Sequence, residues 1–285
     1  MINNNKALII GSNGFIGLHL QKYFKKFCNV KTISRKNADY NFDIVNKNKL
    51  RKTIDIFDPD IIIYTAAVVD IEIAEVNKNY TNLINTQTPI FISKIIKKTV
   101  KLVYFSSIAV YPDIKGPHSE NNTGPLNHYG KSKLLGENII RNHFNSLVLR
   151  FSVIGFSKTK NRKTLTDYIF NSLSKNNKIE MYIDEQFNPL HVNSLVIICF
   201  RLIKMNVRGI YNLGSARGTD KHTYAIKLAN YLNLNYKNII SSNSNKNNKR
   251  VLRAKDCRLD CKKLVDKLRL KLPSIDEEIK KIWIK

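Results

Sequence analysis

No uninterrupted apolar stretch in this sequence approaches the roughly 18 residues that a membrane-spanning helix needs. The short apolar run near the start, Ala7–Ile10, leads straight into a glycine motif. A secretory signal would need a longer apolar region and a small-residue cleavage site. Both absences point to a cytoplasmic protein with no membrane partner. Cysteine is sparse too: Cys28, Cys199, Cys257 and Cys261 are the four. The Cys257–Cys261 spacing has no second pair and no neighbouring histidines to complete a zinc site, so no metal is expected. The thiols read as reduced structural residues.

Acidic side chains are scarce as well. Twenty-two Asp and Glu stand against 48 Lys and Arg, for a net charge of +26. Nucleic-acid binding, attraction of an anionic substrate, or a lysine-rich solvated surface would each account for the excess. The basic residues are spread nearly everywhere and are densest over residues 246–285, with 14 Lys/Arg against 6 Asp/Glu. No basic helix with interleaved aromatics accompanies them, and no nucleic-acid motif does. The charge therefore reads as a solvated surface that also steers anions, and nucleic acid is not the expected partner.

What is present is an ordinary globular composition, 43% hydrophobic over 285 residues, enough for one large domain or two modest ones. The first half alternates short apolar runs with helical patterns, as βαβ units do. Strands are expected at Lys6–Ile10, Val30–Ser34, Ile61–Ala66, Leu102–Phe105 and Ser146–Arg150. Helices are expected at Phe15–Phe27, Asn48–Phe57, Asn82–Lys98 and Tyr129–Phe144. Ile61–Ala66 is almost wholly apolar, as a strand buried on both faces should be. After about residue 151 the rhythm loosens. Helical patterns at Leu165–Lys175, Ser194–Met205 and Lys221–Leu232 mix with strands at Ile179–Tyr182 and Ile210–Leu213. Ser241–Lys249 reads as a polar linker, and no internal repeat is evident.

Gly11-Ser12-Asn13-Gly14-Phe15-Ile16-Gly17 follows the first strand and opens the first helix. Gly11 permits a tight turn, Gly14 lets a pyrophosphate approach the backbone, and Gly17 lets the helix pack on the sheet. Asn13, Phe15 and Ile16 lie within the same dinucleotide-binding loop. Its GxxGxxG spacing resembles the short-chain dehydrogenase/reductase superfamily, a Rossmann-type fold. At the end of the second strand come Ser34, Arg35 and Lys36, with no acidic residue to hold the ribose hydroxyls of NAD. A basic pair there suits the 2′-phosphate of NADP, so NADP(H) is expected, with NAD(H) as the alternative. Asp43 and Ile44 resemble the superfamily's pair flanking the adenine ring.

Tyr-x-x-x-Lys occurs twice, at Tyr111–Lys115 and Tyr129–Lys133. The first is broken by Pro112 and followed by Gly116-Pro117, so its i,i+4 geometry fails. The second opens a helical run and places both side chains on one face. A free phenol titrates near pH 10; an ammonium beside it stabilises the phenolate and brings it into range for proton transfer. Upstream, Leu102–Phe105 runs into Ser106-Ser107, a hydroxyl pair at a strand's carboxyl edge. It resembles the superfamily's catalytic serine segment, and counting back from Tyr111 selects Ser107 to polarise a carbonyl. Asn82 matches the asparagine that shapes the site and proton relay in that superfamily, although a helical surface role is an equal reading.

The resemblance then narrows. Thr65-Ala66-Ala67-Val68-Val69-Asp70, Gly124-Pro125-Leu126-Asn127-His128-Tyr129-Gly130-Lys131-Ser132-Lys133 with Gly136-Glu137, Val148-Leu149-Arg150 and Asn188-Pro189-Leu190-His191-Val192 are similar to the dTDP-4-dehydrorhamnose reductase group. So is Arg258-Leu259-Asp260-Cys261-Lys262-Lys263-Leu264 near the end. The resemblance implies a doubly wound parallel α/β sheet over residues 1–151, with a smaller α/β substrate-binding portion over 152–285 whose segments near 190–214 return to the first domain. It implies catalysis by Ser107, Tyr129, Lys133 and Asn82. Cofactor contacts would include Ala66 and Ala67, with Tyr129 and Lys133 reaching the nicotinamide end. The substrate would be a nucleotide-diphosphate sugar with a 4-keto group, reduced with NADPH, in polysaccharide biosynthesis; a homodimer is allowed. After Ser107, Ile108-Ala109 stand where related dehydratases place Asp-Glu, which excludes dehydration. After Arg150, Phe151–Gly155 lacks the tryptophan of typical rhamnose-pathway reductases, which leaves the sugar open. A C4 epimerase with bound NAD and a non-catalytic regulatory subunit are the alternatives. His191 reads as a structural loop residue and His128 as a helix-start residue.

Overall fold

The computed structural model describes residues 5–159, 163–246 and 250–282. The cofactor-side half runs β1 (Lys6–Ile10), α1 (Phe15–Phe24), β2 (Asn29–Ser34), β3 (Tyr40–Asn41), α2 (Lys47–Phe57), β4 (Ile61–Tyr64), α3 (Ile71–Val76), α4 (Lys78–Asn82), α5 (Thr88–Ile95), β5 (Lys101–Phe105), α6 (His128–Ile140) and β6 (Ser146–Phe151). The rest runs β7 (Val153–Ile154), α7 (Leu165–Leu173), β8 (Ile179–Tyr182), β9 (Gln186–Phe187), β10 (Leu190–His191), α8 (Val192–Lys204), β11 (Gly209–Leu213), β12 (Thr219–Asp220), α9 (Lys221–Tyr231), β13 (Ile239–Ser242), α10 (Lys262–Leu268) and α11 (Ile275–Ile279).

Seven parallel strands form the central sheet in the order β11-β6-β5-β4-β1-β2-β3. The fold is doubly wound, with helices on both faces. Period-two alternation explains the nearly all-apolar strands. Ala7, Ile9, Ile61, Ile63, Val103, Phe105, Leu147 and Leu149 enter one core, which α1, α8 and α10 complete. Leu8, Ile10, Ile62, Tyr64, Leu102, Tyr104 and Val148 enter the opposite core, with α2, α5 and α6 residues. A third core lies under α7, α9 and α11, around Ile169, Phe187, Tyr224 and Leu228. The chain crosses from this portion back to the sheet through α8 and β11, which pairs with β6.

Several boundaries differ from the sequence expectation, each for a local reason. The helix expected over Phe15–Phe27 ends at Phe24, where the N–H groups of Lys25 and Lys26 turn back to Gln21 and Tyr23. The strand expected to reach Ala66 ends at Tyr64; Thr65 caps it by bonding back to Ile10. The helix expected over Asn82–Lys98 begins earlier, at Lys78, and contains a π-helical turn at Leu83–Gln87. The Thr88 N–H goes back to Leu83 and Pro89 has none to give, and the carbonyls of Ile84 and Asn85 accept the hydroxyls of Tyr64 and Tyr104 instead. The expected polar linker at Ser241–Lys249 is not irregular throughout. Ser241 and Ser242 extend β13 beside β8, Ser244–Lys246 forms a 3-10 turn, and residues 247–249 lie outside the described residues. Backbone pairing needs no apolar side chain, so composition could not reveal that strand.

Candidate active site

The glycine loop occupies the carboxyl end of β1, next to the point where the strand order turns from β4 to β1 and β2. Gly11 adopts φ +87°, and a Cβ there would lie 2.6 Å from the Ala66 nitrogen, so no other residue fits between the loops after β1 and β4. Gly17 lies against the Gly11 carbonyl at a distance that a Cβ would shorten to 2.3 Å, which seats α1 on the loop. Gly14 is the N-cap of α1. It supplies no side-chain cap, and the first turn carries no acidic residue, so the helix start keeps free N–H groups for an anion. Phe15 is buried beneath the loop and Ile16 packs on the first core.

The other expected cofactor residues gather at the same edge. Asn13 donates its side-chain amide to the Lys36 carbonyl, tying the glycine loop to the turn after β2. Ser34 ends β2, and Arg35 and Lys36 are exposed. The nearby acid, Asp39, is engaged elsewhere: Lys31 donates to it at 3.0 Å and the Thr32 hydroxyl at 2.6 Å. Asp43 accepts the Val45 N–H, and Ile44 is buried in the second core. Ala66 and Ala67 are half-buried in the loop after β4.

α6 delivers the Tyr-x-x-x-Lys pair to the carboxyl edge of the sheet. Asn127 caps the helix by accepting the Gly130 N–H at 2.9 Å. Gly130 lies so near the 3-10 turn at Ile108–Val110 that a Cβ would meet the Ala109 carbonyl at 2.0 Å. This close approach brings the turn headed by Ser107 against the start of α6. Ser107 is the N-cap of that turn, its Oγ accepting the Ala109 N–H at 3.1 Å. Tyr129 and Lys133 are both buried. Lys133 stands with its Nζ 4.1 Å from the centre of the Tyr104 ring. Burial pushes its ammonium down to about 7, against the opposing pull of Glu137.

The rejected pair does not share a helix. Tyr111 is wholly buried, with burial pushing its phenol up to about 12, and Lys115 is exposed. Asn82 is half-buried at the end of α4. Asn85, three residues later, is the asparagine that touches α6: it donates to the Ser132 hydroxyl at 3.0 Å and holds the Val68 backbone. Sequence reading passed over it because asparagine is abundant in this chain. It also passed over the buried ion pair beneath α6. Arg150 donates to both oxygens of Glu137 at 3.0 Å, Ser106 donates to Glu137, and Arg150 continues to Tyr111 at 3.1 Å. His191 caps α8 by accepting the Asn193 N–H, and burial takes it down to about 4. His128 starts α6, its N–H on Glu75.

A cleft of about 530 Å³ opens between the sheet edge and the C-terminal portion, lined among others by Ile108, which follows Ser107, by Asn127, the cap of α6, and by Ile154, Tyr168, Lys221 and Arg253. Glu185 is the buried anion of its wall and holds both Lys221 and Arg250. Burial opposes its charge, and those two cations keep its carboxyl below the ordinary carboxylate range. Arg253 bonds Glu72 through one nitrogen at 2.8 Å, while its buried Nε has no protein partner. Asn127 donates to the Leu252 carbonyl at 2.9 Å, linking this wall to the cap of α6.

Residues 5–284 match the family described as the RmlD substrate binding domain. The chain belongs to this family. The chain is similar to dTDP-4-dehydrorhamnose reductase of Shigella flexneri, 28% identical over 76% of this chain and 75% of that protein, and to methionine adenosyltransferase 2 subunit beta of Xenopus laevis, 27% identical over 82% and 74%. The crystal structure of a Bacillus anthracis dTDP-4-dehydrorhamnose reductase in complex with NADP shares the fold, with a TM-score of 0.89, 22% identity and coverage of 98% of both chains. Among the described residues no helix is long and apolar enough to cross a membrane.

Proposed function

We propose that this RmlD-family chain is an NADPH-dependent oxidoreductase that reduces the C4 keto group of a nucleotide-activated 4-keto-6-deoxy sugar. The observation that carries this reading is the burial of Tyr129 and Lys133 on one face of α6, a helix whose cap, Asn127, lines a cleft that also holds Lys221 and Arg253. The glycine loop fits a dinucleotide: Gly11 leaves no room for a side chain, and the start of α1 is uncapped. Arg35 and Lys36 would take the 2′-phosphate of NADP, with Asp39 already paired to Lys31 and Thr32.

When bound, NADPH supplies the hydride that reduces the sugar's C4 carbon. Ser107 donates a hydrogen bond to the carbonyl oxygen and Tyr129 gives that oxygen its proton, converting C=O to CH–OH. Lys133 stabilises the resulting phenolate, and the phenolate in turn favours the charged ammonium. Asn85 joins Asn82 as a candidate for shaping this centre, because it ties α6 to the loop after β4. In the cleft, Arg253 has a free buried donor for a diphosphate, while Glu185 holds its two cations in the wall. The portion after residue 152 thus grips the substrate. Cys199, Cys257 and Cys261, which form no disulfide, fit a cytoplasmic setting, and the reading allows a homodimer.

The similarity to methionine adenosyltransferase 2 subunit beta supports a second reading, a non-catalytic NADP-binding regulatory subunit. One assay separates the two: NADPH absorbance followed with dTDP-4-keto-6-deoxyglucose, before and after 3,5-epimerisation, beside Tyr129→Phe. Oxidation that disappears in Tyr129→Phe supports the reductase. Tight NADPH binding without oxidation of either sample supports the regulatory subunit.

A further inference from the structure

Alternation along β5 turns Leu102 and Tyr104 toward α6, and Tyr104 lies completely buried beneath Lys133. Two contacts fix its ring. Tyr64 stacks alongside, with ring centres 6.2 Å apart and planes 20° from parallel. The Tyr104 hydroxyl donates at 2.6 Å to the Asn85 carbonyl, which lies four residues before Pro89 and so receives no helical N–H from it. The ring is therefore held at one end by a π-helical turn and along one face by another aromatic.

Lys133 needs such a partner. Glu137, one turn farther along α6, is the carboxylate that pulls on it, but both Glu137 oxygens are bonded to Arg150 and one also takes Ser106. The near contact of the ammonium is the Tyr104 ring face at 4.1 Å, well inside the range over which a ring quadrupole attracts a cation. We propose that Tyr104 is a positioning residue for Lys133, carrying the ammonium on its π face at the place from which it serves Tyr129. The hydroxyl sets where the ring stands, and the ring sets where the charge stands. This inference rests on the reading that Lys133 is part of the catalytic centre. The charged and titratable groups around Lys133 are Tyr129 and Glu137 from α6, Tyr104 from β5, Tyr64 from β4, and Arg150 from β6 through Glu137. Of these, only Tyr104 offers its ring face to the ammonium.

The test replaces Tyr104 with phenylalanine and then with progressively fluorinated phenylalanines, which keep the volume while draining the ring face of electron density. A weaker face favours the ammonium less, so Lys133 loses its proton at lower pH. The alkaline limb of the kcat/KM profile for NADPH oxidation should move stepwise downward, by roughly one pH unit across the series. A second readout needs no substrate: the pH dependence of unfolding stability, taken as the difference from the matching Lys133→Met protein. Its midpoint should move in the same order. Should the phenylalanine parent fail to fold, fluorinated tyrosines at position 104, which retain the hydroxyl, take its place. Profiles that coincide across the series, with Lys133→Met inactive, overturn the role of Tyr104 and leave the catalytic reading standing. Full NADPH oxidation by Lys133→Met overturns both. If the unaltered chain oxidises no NADPH, the proposed substrate fails, and the stability midpoints still decide the role of Tyr104.

Discussion

The two walls of the proposed site handle charge in opposite ways. Beneath α6, charge is sealed in: Glu137 and Arg150 are almost fully buried, Ser106 also donates to Glu137, and Arg150 also reaches Tyr111 and the Glu120 carbonyl. Across the cleft, charge is left unfinished, since Arg253 keeps a buried donor without a protein partner beside half-exposed lysine. A satisfied buried pair gives rigidity and little net stability, whereas an unsatisfied donor on a cavity wall is a request for a ligand. On the proposed reading, one wall would fix geometry for chemistry and the other would supply affinity.

The largest effect should come from the centre itself. Tyr129→Phe is expected to lower NADPH oxidation by about 10²–10⁴-fold with an unchanged melting temperature, measured by absorbance and by calorimetry. Glu137→Gln should act on the sealed wall through stability. It leaves Arg150 buried without its counter-charge, at a cost of about 3–5 kcal/mol, seen as a lower denaturation midpoint at equal slope. On the open wall, Arg253→Ala should raise KM for the sugar nucleotide about 10–100-fold with little change in stability or in NADPH affinity. A thermal shift as large as that of Glu137→Gln would erase the contrast between the walls.

pH sharpens the same contrast. Lys133 titrates near 7 in the folded chain and near 10.4 when unfolded, so the unfolded state binds the extra proton between those values. Its contribution to stability is fully present above the unfolded value and is lost as pH falls toward 7. Denaturation across that window should show a steeper pH slope for the unaltered chain than for Lys133→Met. The smallest effect belongs to the exposed rim. Arg35→Ala should weaken NADPH binding by about 5–10-fold at low salt and leave NADH unchanged, because a solvated ion pair is screened.

Much of this was legible in the sequence. The central strands announce themselves as apolar runs, and Gly11, Gly14 and Gly17 sit where strand meets helix. The choice of Tyr129 over Tyr111 rested on Pro112, Gly116-Pro117 and the helical run after Tyr129; the structure puts Tyr111 in the buried Arg150 network. Other features were hidden for physical reasons. Asn85 and Asn82 both look like surface asparagines until the π-helical turn rotates Asn85 toward Ser132. Glu137 and Arg150 are adjacent only because β6 lies under α6, and the sequence shows them as two ordinary charges. The roles of Glu185 and Arg253 depend on packing between segments far apart in the chain, and their surroundings are as lysine-rich as the rest.

The order of these parts along the chain has a consequence for synthesis. The glycine loop, Ser107, Tyr129, Lys133, Glu137 and Arg150 all precede residue 151, whereas Lys221, Arg250 and Arg253 come after residue 220. On the ribosome, the elements proposed to hold a dinucleotide emerge first, and the cations proposed to hold a sugar nucleotide emerge last. Because α8, β11 and α10 complete the core on which α1 sits, the half that carries the glycine loop closes only after the later segments have been made.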